Sequence, residues 1–172
     1  FPEQAGLEES VLADELTQFR FTGDHPCWPV YSAQGVYGHE SLRAVKPNCE
    51  RPLVVAPRDG LYVAVGEARL VDFARMRLQP DASADCAVRA HLGSAVVVRT
   101  PMTTPWRLLL MGDSPGQLLE RNYLLLNLND PCAIGDTSWI KPGKVIREVT
   151  LTTGGGKACV DFAVEHNLQY VE

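Results

Sequence analysis

The run DTSWIKPGK at residues 136–144 separates two kinds of sequence, and that change of texture restricts the possible folds more than any other feature of the chain. Upstream, short apolar runs alternate with glycine and proline. Residues 52–56 form a compact apolar run, closed by the turn sequence Pro57-Arg58-Asp59-Gly60. Residues 61–70 and 73–78 read as the next strands, and residues 95–99 and 106–111 as two more. Strands at this spacing, with turn residues between them, predict a β-sandwich. Residues 1–20 set Val11, Leu12, Leu16 and Phe19 among acids, a pattern for a short helix or loop. Residues 21–37 are rich in Gly, Pro and aromatics, which predicts turns and irregular strands.

From Gly112 onward the pattern changes. Ser114, Pro115 and Gln117 supply an N-cap, a proline at the first helical position and a capping-box partner. The helix they start is expected to run through Leu118, Leu119 and Asn122. Beyond the DTSWIKPGK run, residues 145–151 read as a strand, 152–156 as a glycine turn and 157–166 as a helix. Cys159, Phe162, Ala163 and His166 share one face of that helix. Residues 168–171 begin another strand. The whole is expected to be mainly β over residues 1–135, with a linker and a β-α-β unit over residues 136–172.

A net charge of −5 argues against a phosphate-backbone partner, which needs a basic face, so no nucleic acid is expected. Apolar runs long enough to span a membrane are absent. The chain starts at Phe1 without a basic-then-apolar leader, as a processed or excised segment would. Five cysteines form no C-x-x-C pair, which argues against a zinc site or redox dithiol. They read as small core residues or free thiols, with a single bridge possible in an oxidising compartment.

Glu67 is the residue whose placement is hardest to explain by packing. Leu61, Val63 and Val65 line one face of a strand, and Glu67 continues that register. A carboxylate there must be paired or bound to a cation, because burying it alone costs several kcal/mol (roughly). The competing reading makes Gly66 a bulge that turns Glu67 out to water. Other candidates are weaker. Gly112-Asp113-Ser114 has the look of a serine esterase block, but Asp161 and His166 cannot share a helix face, and Ser114 serves as an N-cap. Gly154-Gly155-Gly156-Lys157 lacks the glycine and hydroxyl of a phosphate loop at Leu151 and Ala158. His25, His39, His91 and His166 show no metal-ligand spacing. Trp28, Trp106 and Trp139 could stack on sugars but read singly as packing residues.

Taken together, Thr104-Pro105-Trp106-Arg107, the run at 124–129, DTSWIKPGK and KACVDFAVEHNLQYVE resemble glycoside hydrolase family 97. The Glu67-Ala68 block with Leu70 also looks like that family's N-terminal domain. The resemblance implies a β-supersandwich followed by the start of a (β/α)8 barrel that is truncated here. It implies a periplasmic or secreted enzyme acting on oligosaccharides, as an α-glucosidase or α-galactosidase dependent on calcium. By the same resemblance Glu67 is a calcium ligand, and Glu40 a weaker candidate for substrate or ion contact. The catalytic carboxylates come from later barrel strands, so no catalytic residue is assigned to this chain, and the fragment alone is expected to be inactive. Where relatives follow KPGK with a tryptophan-rich run, this chain has Val145-Ile146-Arg147-Glu148-Val149. The alternative is a free-standing β-sandwich that binds carbohydrate or a protein partner without chemistry.

Overall fold

The computed structural model describes residues 1–3 and 5–172 and divides into two units, Phe1–Asp130 and Pro131–Glu172, each described by itself. Ten strands build the first unit: β1 (Glu9–Leu12), β2 (Gln18–Arg20), β3 (Pro26–Trp28), β4 (Glu40–Ser41), β5 (Leu53–Arg58), β6 (Leu61–Ala68), β7 (Met76–Pro80), β8 (Ala87–Leu92), β9 (Val96–Arg99) and β10 (Trp106–Gly112). A five-stranded sheet runs in the order β10-β6-β5-β3-β4, a three-stranded sheet in the order β2-β8-β7, and β1 pairs with β9. All of these pairings are antiparallel.

Alternation along the strands decides which side chains meet. Leu53, Val55 and Val65 of the large sheet pack against Met76, Leu78, Val88 and Ala90 of the small one, with Cys27 and Cys49 buried among them. The opposite face of the large sheet carries Ala64, Ala68, Leu108 and Leu110, covered by Leu118 and, around the rim, Leu124, Leu125 and Leu128. Leu118 comes from the short helix α1 (Pro115–Glu120), Leu124 and Leu125 from α2 (Tyr123–Asn127), and Leu128 is the C-cap of α2. Strand β6 is thus covered on both faces. A smaller cluster of Leu92, Val96 and Val98 lies under the β1–β9 pair.

Several sequence expectations need correcting. Within residues 1–20, expected to be a short helix or loop, residues 9–12 and 18–20 are instead strands β1 and β2; Phe19 has its place in the core and its backbone pairs with Val88. Residues 87–92, where small and polar residues interrupt the apolar pattern, form β8, a strand unmarked in the sequence. The helix after Ser114 stops at Glu120, and the chain re-forms one turn as α2. Ser114 does cap α1, its Oγ accepting from Gln117 N at 3.3 Å. The capping box is incomplete, since Gln117 Oε1 accepts from Asp113 N rather than from the cap residue.

In the second unit, β11 (Val145–Ile146) pairs in parallel with β12 (Tyr170–Val171), and α3 (Thr153–Glu165) joins them. The strand expected over residues 145–151 is cut to two residues. Glu148 explains this: its carboxylate accepts from Thr150 N and Leu151 N, both at 2.6 Å, and Leu151 adopts a left-handed φ of 54°. The glycine turn expected at 152–156 is helical instead, with Thr152 Oγ1 accepting from Gly155 N at 3.0 Å. A Cβ on Gly155 would lie 2.3 Å from Glu148 Oε1, so glycine is what lets the helix start beside this carboxylate. Among the described residues no helix is long and apolar enough to cross a membrane.

Candidate functional site

Strand register brings an unusual row of charge onto the sandwich side of the large sheet. Glu67 pairs with Arg107 across β6 and β10 without any bulge, so Gly66 does not turn Glu67 outward. On the other flank Leu53 pairs with Val65, which sets Arg51, two residues earlier, beside Glu67. The row therefore reads Arg51–Glu67–Arg107 across neighbouring segments. Cross-strand pairs of opposite charge at this spacing support each other.

Glu67 is 9% exposed and its carboxylate is fully engaged. Arg107 Nη1 donates to Oε2 at 2.7 Å, and Arg51 Nε contacts Oε1 directly. The backbone N–H of Met76 donates to both oxygens, at 3.1 and 3.2 Å. Two guanidiniums and an amide resolve the burial cost that the sequence raised, because a buried charge is tolerated when paired and hydrogen-bonded.

The row extends at both ends. Arg107 grips Glu15 through two parallel bonds, Nε to Oε1 at 2.8 Å and Nη2 to Oε2 at 2.5 Å. Such a fork is the strong form of an arginine–carboxylate pair. Burial pushes the Glu15 carboxyl up, but the hydrogen bonds and charge of Arg107 outweigh it and hold the group below its ordinary value. At the other end Arg51 Nη1 donates to Glu50 Oε2 at 3.1 Å, and Arg75 Nη2 donates to Glu50 Oε1 at 2.9 Å. Arg77 Nε lies 3.4 Å from the same oxygen, near enough for attraction but without hydrogen-bond alignment.

This donor set does not fit a divalent ion as it stands. Glu67 offers one carboxylate, and both of its oxygens already face guanidinium nitrogens. Calcium wants about six to eight oxygens, and among the described residues no group of three or more acidic, histidine or cysteine side chains could hold a metal.

Glu40 stands apart. It lies on β4, at the far edge of the sheet, paired with Cys27 of β3. Three strand spacings, roughly 14 Å, separate β4 from β6. Glu40 Oε2 is buried and has no hydrogen-bond partner among the described residues. Nearby, Trp28 stacks on His39 with ring centroids 5.1 Å apart. All five cysteines are free thiols; Cys27, Cys49 and Cys86 are buried, as small core residues are expected to be. Burial, with lesser contributions from neighbouring groups, pushes the Cys27 thiol up to about 12, which makes it inert at neutral pH. Trp106 and Trp139 are exposed.

Sequence reasoning missed Arg107 and Arg51 as partners of Glu67. The signal was present for Arg107, a lone charge in Trp106-Arg107-Leu108-Leu109-Leu110 just as Glu67 is in its own strand. Arg51 precedes its strand and carries no comparable mark.

A cavity of about 400 Å³ opens on the helix-covered face, with Arg51, Val54, Ala64, Glu67, Leu108 and Leu118 among its lining residues. A second, of about 350 Å³, is lined by Val30, Ser32, Tyr37, Glu50, Arg51 and Arg75. Arg51 is common to both.

Comparison with known proteins places this arrangement. The family profile described as Glycosyl-hydrolase 97 N-terminal matches residues 1–131. The retaining alpha-galactosidase of Bacteroides thetaiotaomicron is 27% identical over 155 residues, covering 70% of this chain and 23% of that protein. A glycoside hydrolase family 97 enzyme from Pseudoalteromonas sp. strain K8, solved with acarbose, superimposes with a TM-score of 0.78 at 29% identity. The same enzyme solved as a variant with panose gives 0.78 at 30% identity. Both structural matches cover 99% of this chain and 29% of the enzyme, so the chain spans less than a third of the relatives it matches. The chain belongs to glycoside hydrolase family 97, and residues 1–131 are its N-terminal domain.

Proposed function

We propose that this chain is the scaffold part of a calcium-dependent glycosidase acting on α-linked glucosides or galactosides, in which β11-α3-β12 opens a (β/α)8 barrel. The observation that carries this reading is the match of 99% of the chain to an enzyme solved with acarbose and panose. The parallel pairing of β11 with β12 through a helix supports the barrel, because parallel strands joined this way are its repeating unit. The whole enzyme would be periplasmic or secreted.

Glycoside hydrolysis uses a carboxylic acid to protonate the leaving oxygen and a second carboxylate as base or nucleophile. Glu15, Glu50 and Glu67 do not suit either role, since each is neutralised by arginine rather than poised to give up a proton or attack. The work of this chain is to bind and orient. Glu40, with one oxygen unpartnered, is the weaker candidate for contact with substrate or ion. Calcium bound by the whole enzyme would polarise or position groups at the sugar, and its ligands would come mainly from outside this chain.

The test is hydrolysis of aryl α-glucosides and aryl α-galactosides. A protein carrying these residues together with a full barrel is expected to turn over one of them, and the 172-residue chain neither. Turnover by the chain alone refutes the scaffold assignment. Failure of the barrel-containing protein on both substrates refutes the glycosidase reading.

A further inference from the structure

Arg51 joins two carboxylates that are almost out of solvent. Its Nη1 is 3.1 Å from Glu50 Oε2, its Nε contacts Glu67 Oε1, and the two glutamate side chains are 10% and 4% exposed. Arg51 itself is 21% exposed and forms part of the wall of both cavities described above. Removing its guanidinium would leave two acidic groups facing one another across the space it fills.

We infer that Arg51 is the resident cation of the Glu50–Glu67 carboxylate pair, occupying the position from which a hard divalent ion would bridge them. The charges argue for it. Glu15, Glu50 and Glu67 face Arg51, Arg75, Arg77 and Arg107, a set already positive by one. A divalent ion entering this set meets net repulsion and finds no free carboxylate oxygen on Glu67. It gains Glu67 only by displacing a guanidinium, Arg51 Nε from Oε1 or Arg107 Nη1 from Oε2, and only the first of these also touches Glu50. The fork of Arg51 reaches both glutamates at once, so displacement opens both together. This inference goes beyond the glycosidase reading, because it depends only on groups within the chain.

The probe is calcium chloride, titrated by calorimetry into the full chain, the Arg51→Met variant, and that variant combined with Glu50→Gln or Glu67→Gln. The unsubstituted chain is expected to show no Glu67-dependent binding up to about 1 mM, the weak end of protein calcium sites. Arg51→Met is expected to bind at least tenfold (roughly) more tightly than the unsubstituted chain, and to lose that gain in either double variant. Calcium binding by the unsubstituted chain that Glu67→Gln abolishes overturns the inference. So does an Arg51→Met variant, folded by circular dichroism, that gains nothing. Should Arg51→Met fail to fold, the NMR signal of the Arg51 Nε–H in the unsubstituted chain decides. It is expected to stay in place as calcium is added, and movement of that signal overturns the inference.

Discussion

Replacing Arg107 by methionine removes the cation between Glu15 and Glu67 while keeping much of the side chain's apolar bulk. Arg107 is 11% exposed and makes two hydrogen bonds to Glu15 and one to Glu67. Hydrogen bonds to charged groups contribute about 1.5–3 kcal/mol each, and breaking a buried ion pair from one side costs about 3–5 kcal/mol. The full sum does not apply here. Glu67 keeps Arg51 and the Met76 N–H, and Glu15, 20% exposed, can turn to water. The expected loss is about 2–4 kcal/mol, which corresponds to roughly 6–14 °C in Tm for a domain of this size. Urea unfolding followed by tryptophan fluorescence measures it, with Trp106 adjacent to the substitution. Arg99→Met is the control. Its partner is Glu9, the two side chains are 79% and 57% exposed, and an exposed pair contributes about 0–1 kcal/mol. If Arg107→Met costs no more than Arg99→Met, the row of charge on β6 and β10 is not what holds Glu67 inside.

Stability should fall in acid. The folded-state pKa of Glu15 is depressed, so its contribution is complete above the unfolded value near 4.5 and fades as pH drops through the lower folded value. Glu15→Gln is expected to flatten the unfolding midpoint against pH below about 4.5, measured by thermal melts. In α3, nothing lies within 4 Å of a Cβ built on Gly156, whereas one on Gly155 meets Thr150 Oγ1 at 2.2 Å. Gly156→Ala should stabilise the second unit by about 0.5–1 kcal/mol and Gly155→Ala should not, as read by helical circular dichroism on heating. Hydrogen exchange should be faster over residues 145–172 than in β5 and β6, since Ala163 is the only buried residue of α3; equal protection would refute this.

How much of this was legible in the sequence depended on whether the deciding contact was local. The cap on α1 was legible, because Ser114 and Gln117 act within three residues of each other. The inward register of Glu67 was only half legible: alternation from Leu61 set it on the inner face, but Gly66 offered a bulge that would have turned it out, and the unbroken pairing with β10 decided between them. The partners of Glu67 were not, since Arg51, Arg107 and the Met76 amide reach it from three separate segments and only the register unites them. Strand β8 was hidden because Arg89 and His91 break the apolar pattern at positions facing away from the core. The short β11 was overestimated for a local reason of a different kind: Val145, Ile146, Val149 and Leu151 favour a strand, but the Glu148 side chain competes for the backbone and wins. The glycines of 154–156 were misread because glycine weakens helices in general, whereas here Gly155 is needed for clearance.

Because β6 has neighbours above and below as well as on either side, it has no face left over for tolerance. Most half-buried strands accept change at every second residue. A saturation scan of residues 61–68 would instead reject polar and charged replacements from Val63 onward, with aliphatic packing below and helices above, while Gly66→Ala would be tolerated, since a methyl there meets Leu108 at 3.4 Å, an ordinary contact distance. Change in this domain is therefore expected to proceed through the margins of the sheet and its loops, leaving the central strand as fixed ground.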